Sequence, residues 1–314
     1  MTSEFGETLK LRPGVYPALH ACYSNDGNVN PVAVRKLTRF LIDRGVNGLY
    51  VGGGTGEGLL QTAEERMKTL EAAIEENNGA VPIIAHVGAM TTGESVRMAK
   101  HAEQAGADAI SSVPPFYFTY PEAAVKQYWN SIMESVQLPF IIYYIPASTG
   151  FHMTVSFLKE LLENEKLLGI KMTTPGVYEL QQYKEAGGER FLVYNGIDQQ
   201  YLPGRIMGAH AGIGGNYNVM PELYVRLEQA FRKGAMEEAQ RLQIAINEVL
   251  AAMKALGGLF PIGKELLRLR GIDCGLPREP LPAANVSDRE AIRAILDNIM
   301  RAVEEEAPSS VGGA

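Results

Sequence analysis

Gly45-Val46-Asn47-Gly48 ends one amphipathic stretch and opens an apolar run. The same transition recurs at Gly106-Ala107-Asp108-Ala109 and at Gly208-Ala209-His210-Ala211. A glycine at this point suits the left-handed backbone that closes a helix, and the apolar run behind it reads as the next parallel strand. Outward from these three repeats, short apolar runs alternate with longer amphipathic segments. Strands are expected over 14–19, 46–51, 81–87, 108–113, 140–145, 168–172, 191–195 and 211–213. Helices are expected over 31–44, 62–77, 92–105, 121–136, 155–163, 177–186, 198–207 and 221–232. Asn30 with Pro31 starts the first helix, and Thr62 with Glu65 forms a capping box for the second. Eight strand–helix pairs in roughly 220 residues have the size of a (β/α)8, or TIM, barrel. A doubly wound sheet shares the alternation but rarely uses eight near-equal units.

Further helical stretches are expected over 236–256, 260–270 and 288–305, the last two separated by the proline-rich segment 277–282. Neither a composition shift nor a long linker precedes them, so they read as a helical subdomain appended to the barrel. The domain reading is an N-terminal extension over 1–13, a catalytic barrel over 14–233, a C-terminal helical subdomain over 234–305 and a flexible tail over 306–314.

Composition narrows the class. Of 314 residues, 46% are hydrophobic and 21% charged, as in an ordinary globular protein. A net charge of -7 argues against a nucleic-acid partner. Two cysteines, Cys22 and Cys274, make neither a disulfide framework nor a zinc pattern, which fits a reducing cytoplasm. The polar start carries no apolar signal region, and no run reaches membrane-spanning length.

In a barrel, chemistry belongs to the C-terminal strand ends and the loops after them. The sixth strand there carries Gly169-Ile170-Lys171-Met172-Thr173. Burial disfavours an ammonium, which suits an amine nucleophile; alternatively, a lysine in that place snorkels past the strand end. Tyr143 ends the fifth strand and offers a phenol for proton transfer, or a strand tyrosine that needs only a hydrogen-bond partner. Gly52-Gly53-Gly54-Thr55-Gly56-Glu57 lacks the lysine of a phosphate loop and the spacing of a dinucleotide fingerprint. It offers bare N–H groups and one hydroxyl, a nest for a small anion such as a carboxylate, or simply a tight glycine turn. His86 and His20 read as packed or hydrogen-bonded, and no metal-ligand spacing is present. Asp198 and Gln199 open a helix, as first-turn residues or as holders of substrate hydroxyls. Amine, phenol and nest together describe Schiff-base aldol chemistry, with a covalent imine on Lys171 and no cofactor.

These residues resemble the N-acetylneuraminate lyase / dihydrodipicolinate synthase family of class I, pyruvate-dependent aldolases. The likeness runs from about Gly14 to beyond Arg270 and rests on Gly53-Gly54-Thr55-Gly56-Glu57, Tyr143-Tyr144-Ile145-Pro146 and Gly169-Ile170-Lys171. It implies that Lys171 is the Schiff-base lysine and Tyr143 the proton-transfer tyrosine. Gly54 and Thr55 would meet the pyruvate carboxylate, and Tyr117 would reach across a dimer interface within a homotetramer. Leu49-Tyr50-Val51-Gly52-Gly53, Ile84-Ala85-His86-Val87-Gly88 and Tyr194-Asn195-Gly196-Ile197-Asp198 look more like the lyase branch. There Thr173, Gly196, Asp198, Gln199 and Gly215 would line the sugar site.

Four positions depart from the family pattern. Ser148 replaces the arginine of synthases, Gln199 a glutamate of lyases, Gly215 a serine, and Gly54 a hydroxyl residue of both branches. The expected function is a lyase that converts a keto-deoxy sugar acid such as N-acetylneuraminate to pyruvate and an aldehyde. The alternatives are a dihydrodipicolinate synthase-type condensation of pyruvate with a small aldehyde, a keto-deoxy sugar acid dehydratase, and a non-catalytic keto-acid-binding homologue.

Overall fold

A computed structural model of the chain describes residues 11–304. Most of the extension expected over 1–13, and all of the tail expected over 306–314, lie outside the described residues. The eight expected strands are present as β1 (Gly14–Pro17), β2 (Leu49–Val51), β3 (Ile83–His86), β4 (Ala109–Ser112), β5 (Phe140–Tyr144), β6 (Leu167–Met172), β7 (Leu192–Asn195) and β8 (Ala211–Gly214). Every ladder between neighbours is parallel, in the order β1-β8-β7-β6-β5-β4-β3-β2. The ring closes where Ala18 bridges Tyr50 and the Leu19 N–H donates to the Tyr50 carbonyl at 2.8 Å.

The strands are joined by α1 (Pro31–Ile42), α2 (Ala63–Asn77), α3 (Thr92–Ala105), α4 (Glu122–Glu134), α5 (Pro146–Thr149), α6 (Val155–Leu161), α7 (Val177–Gly187) and α8 (Tyr201–Ile206). After β8 come α9 (Pro221–Arg232), α10 (Met236–Ala255), α11 (Leu259–Leu269) and α12 (Arg289–Glu304). The repeat glycines behave as the sequence requires, with φ 79° at Gly45, 96° at Gly106 and 97° at Gly208. Asn30 accepts the Ala33 N–H at 3.2 Å, and both halves of the Thr62–Glu65 capping box form.

One local expectation needs correction, and one short helix was not expected. The helix expected over 198–207 opens as a 3-10 turn, Asp198–Gln200, before α8 begins. The loop after β5 contains α5, whose four residues are too few to show a helical period; Pro146 presets its first turn.

Alternation along the strands sorts side chains into two layers. Tyr16, Tyr50, Ile84, Ile141, Tyr143, Tyr194 and Ile213 fill the barrel interior. Val15, Leu49, Val51, Ile83, Ile110, Ile142, Ile170, Met172 and Val193 face the helices. Ile170 and Met172 belong to the outer layer, so Lys171 between them is directed inward. The C-terminal helices pack as a group, α10 against α9 and α12, and α11 against α12. Among the described residues no single helix is long and apolar enough to cross a membrane.

Candidate active site

Lys171 and Tyr143 are paired in register on adjacent strands. Lys171 is only 4% exposed, and its Nζ stands 3.8 Å from the Tyr143 ring centre and 4.4 Å from that of Tyr50. Two aromatic faces therefore hold a cation or amine by its electrostatic attraction to the rings. Tyr50 was absent from the sequence-based site. Its place in Leu49-Tyr50-Val51, between two outer-layer residues, is the signal that directs it inward with Tyr143.

The aromatic wall continues to His86, whose ring lies edge-on to Tyr143 at 5.8 Å and tilted against Tyr50 at 6.1 Å. His86 accepts the Val113 N–H at Nε2, 3.3 Å away, and its Nδ1 lies 3.2 Å from the Gly52 carbonyl. Burial, with the charges of Arg66 and Lys171 nearby, holds its pKa well below the ordinary value, so the ring is neutral. Arg66 on α2 donates to the carbonyls of His86 and Gly88 at 2.6 and 2.8 Å. A buried arginine on a helix face gave no signal in the sequence pattern.

The glycine turn faces this wall. Gly54 is exposed toward the mouth, and a Cβ placed on it would meet nothing nearer than the Tyr143 hydroxyl at 4.0 Å. Thr55 lies beside Gly215: a Cβ on Gly215 would come within 2.7 Å of Thr55 Oγ1 and 2.5 Å of Leu259 on α11. The loops after β2 and β8 therefore touch, and a side chain at Gly215 would make the ends of Thr55 and Leu259 shift.

On the far side, Thr173 and Gly196 are in contact, and the Gly196 N–H donates to the Met172 carbonyl at 2.7 Å. Thr173 Oγ1 is buried and has no hydrogen-bond partner among the described residues. Asp198 is buried; its Oδ2 accepts the Asn216 backbone N–H at 2.8 Å and its side-chain amide at 2.6 Å. Burial raises its pKa, opposed by the Asn216 hydrogen bonds and by the Lys171 charge. Its backbone carbonyl accepts from Tyr224 Oη and from Gln243 Nε2 of α10, both at 3.4 Å.

The remaining expected residues, Gln199 and Tyr117, are exposed. Gln199 is exposed, its carbonyl accepting from Asn247 of α10 at 3.2 Å. Tyr117 is 87% exposed, at φ 77°, with its ring edge-on to Phe118 rather than in this chain's own site. The arrangement thus holds a desolvated amine against a phenol, with a hydroxyl-bearing glycine turn on one side and Thr173, Gly196 and Asp198 on the other. It can form an imine with a keto group and move protons beside it.

The dihydrodipicolinate synthetase family profile matches residues 12–299. The chain belongs to this family. Within it, the chain is 39% identical over 288 residues to an N-acetylneuraminate lyase of Mediterraneibacter gnavus, covering 91% of each. It is 36% identical over 281 residues to that of Rhizobium meliloti, covering 89% of this chain and 93% of the relative. The wild-type sialic acid aldolase of Ruminococcus gnavus superimposes with a TM-score of 0.91 at 38% identity, over 93% of this chain and 98% of that one. A dihydrodipicolinate synthase of Bacillus anthracis superimposes with a TM-score of 0.85 at 26% identity, over 91% and 97%.

Proposed function

We propose that this family member is a class I lyase that cleaves a keto-deoxy sugar acid such as N-acetylneuraminate to pyruvate and an aldehyde. The observation that carries the reading is the Lys171 amine, buried against the Tyr143 ring in the adjoining register position. Lys171 adds to the substrate keto carbon and expels water to give an imine. The protonated imine draws electrons from the neighbouring carbon–carbon bond as Tyr143 takes the proton of the hydroxyl that becomes the aldehyde. The enamine is protonated, and hydrolysis of the imine frees pyruvate.

Gly54 and Thr55 meet the carboxylate, and Thr173, Gly196, Asp198, Gln199 and Gly215 line the polyol end. The barrel over 14–233 carries the chemistry, and the helices over 234–305 buttress it. No cofactor enters this scheme, since the imine does the electron-withdrawing work. Similarity to the lyases named above supports the sugar acid over the small-aldehyde synthase reaction. So does the β5 loop: Ser148, exposed in α5, brings no cation for a second carboxylate.

The same reading makes the protein a cytoplasmic homotetramer in which Tyr117 meets a second copy. Supporting this, Tyr117 and Phe118 are 87% and 65% exposed, edge-on to each other at 5.1 Å.

Borohydride reduction with pyruvate, followed by peptide mass mapping, tests the chemistry. A stable adduct at Lys171 is expected; absence of any adduct overturns it. A panel of N-acetylneuraminate and keto-deoxy sugar acids, against pyruvate plus aspartate semialdehyde, then separates lyase and dehydratase from synthase.

A further inference from the structure

Glu57 closes the glycine turn in the left-handed region, φ 52° and ψ 29°. A residue with a side chain holds that conformation where its surroundings over-determine it. Here they do. The Glu57 N–H donates to the Gly54 carbonyl at 2.9 Å. Its carboxylate is buried, with Oε1 2.7 Å from Lys264 Nζ of α11 and Oε2 accepting the Arg278 N–H at 2.8 Å. Lys264 is itself 3% exposed; it also donates to the Leu276 carbonyl at 3.0 Å and lies over the Tyr23 ring. The Arg278 guanidinium closes the same region from outside, reaching the Leu60 carbonyl at 2.8 Å and both Glu65 oxygens at 2.6 and 2.8 Å.

A buried ion pair adds little stability over a well-packed apolar pair of the same volume, because both ions lose their water. What such a pair fixes is geometry, and the geometry fixed here is a turn two residues from Thr55. The same helix presses Leu259 against Gly215, which in turn abuts Thr55.

We propose that Lys264 is a positioning residue: through Glu57 it sets the shape of the carboxylate-binding turn, so that α11 governs the affinity of the barrel for its keto acid. This rests on the imine-forming reading of the site. Lys264→Met removes the charge with little change in length. Glu57→Gln keeps the shape but has one accepting oxygen for two donors.

The readout is borohydride trapping of the purified protein, titrated with pyruvate and separately with acetone, a ketone that has no carboxylate for the turn to hold. For both variants the pyruvate concentration giving half-maximal trapping rises about tenfold, the worth of one hydrogen bond to a charged group. Trapping with acetone stays at the wild-type rate, and Lys264→Arg, which keeps the charge, recovers most of the pyruvate affinity. An unchanged pyruvate requirement overturns the proposal, as does a parallel loss with acetone, which would mark general damage. Where Lys264→Met fails to fold, Glu57→Gln decides alone. Failure of the wild-type protein to trap pyruvate strikes the imine reading itself, a different result from either.

Discussion

Lys171 Nζ stands 3.8 Å from the centre of the Tyr143 ring, one strand away and in direct register. Tyr143→Phe keeps this ring face and the edge contacts with Tyr50 and His86, and removes only the hydroxyl. Turnover should therefore fall by about 10²–10⁴, the usual worth of lost acid–base help, while borohydride still traps pyruvate on Lys171. Lys171→Ala should abolish both. Tyr143→Phe with full turnover would remove the phenol from the mechanism.

Gly54 and Gly215 separate room from contact. A serine at Gly54 meets open space up to the Tyr143 hydroxyl, so Gly54→Ser should change stability by no more than about 0.5 kcal/mol. It also sets a second hydroxyl beside the phenol, and kcat on the sugar acid should rise. Gly215→Ser drives a Cβ into Thr55 and Leu259 and should cost about 1–3 kcal/mol, with a raised KM. Thermal melts and initial rates read both outcomes.

Acid should unfold the protein earlier than its surface charges suggest. Burial, helped by the Lys264 charge, pushes His20 down to about 3, and His86 is likewise held well below its ordinary value. Below pH 6.5 the unfolded histidines take up protons that the native ones refuse. Their contribution is complete above that pH and is lost as pH falls below it. Neither ring nitrogen of His20 has a hydrogen-bond partner among the described residues. His20→Phe should therefore flatten the acid limb of a denaturation series with little loss at pH 7.

Asp198 runs the other way. Its raised pKa means that the native state binds a proton more readily than the unfolded one, so Asp198 subtracts stability as pH rises above about 4. Asp198→Asn, which can still accept from Asn216, should melt no lower than wild type at pH 7. It should also raise the KM for the sugar acid. A lower melting temperature at pH 7 would contradict the electrostatic account.

Tyr117→Ala combined with Phe118→Ala should shift sedimentation toward smaller species, because two exposed aromatic rings are removed from one loop. An unchanged sedimentation profile would place the assembly surface elsewhere.

The barrel was legible because its punctuation is local. Gly45, Gly106 and Gly208 close elements within a few residues, and alternation around Lys171 and Tyr143 fixes which way each side chain points. The partners that complete the site are not local. Arg66 meets His86 from a helix face that carries no marked pattern. Glu57 finds Lys264 and Arg278 near the other end of the sequence, and no spacing rule reaches that far. Tyr117 shows the converse: a matching motif places a residue in a loop but does not say that its side chain turns toward the same cavity.

The Glu57–Lys264 pair also bears on the order of events at the ribosome. A chain emerging N-terminus first exposes all eight strands before Lys264 and Arg278 are synthesised. A nascent barrel can therefore be complete in its strands while its glycine turn lacks the groups that pin it. On the reading proposed above, the turn is pinned only once α11 and Arg278 have left the ribosome, so full affinity for a keto acid follows the strands in time.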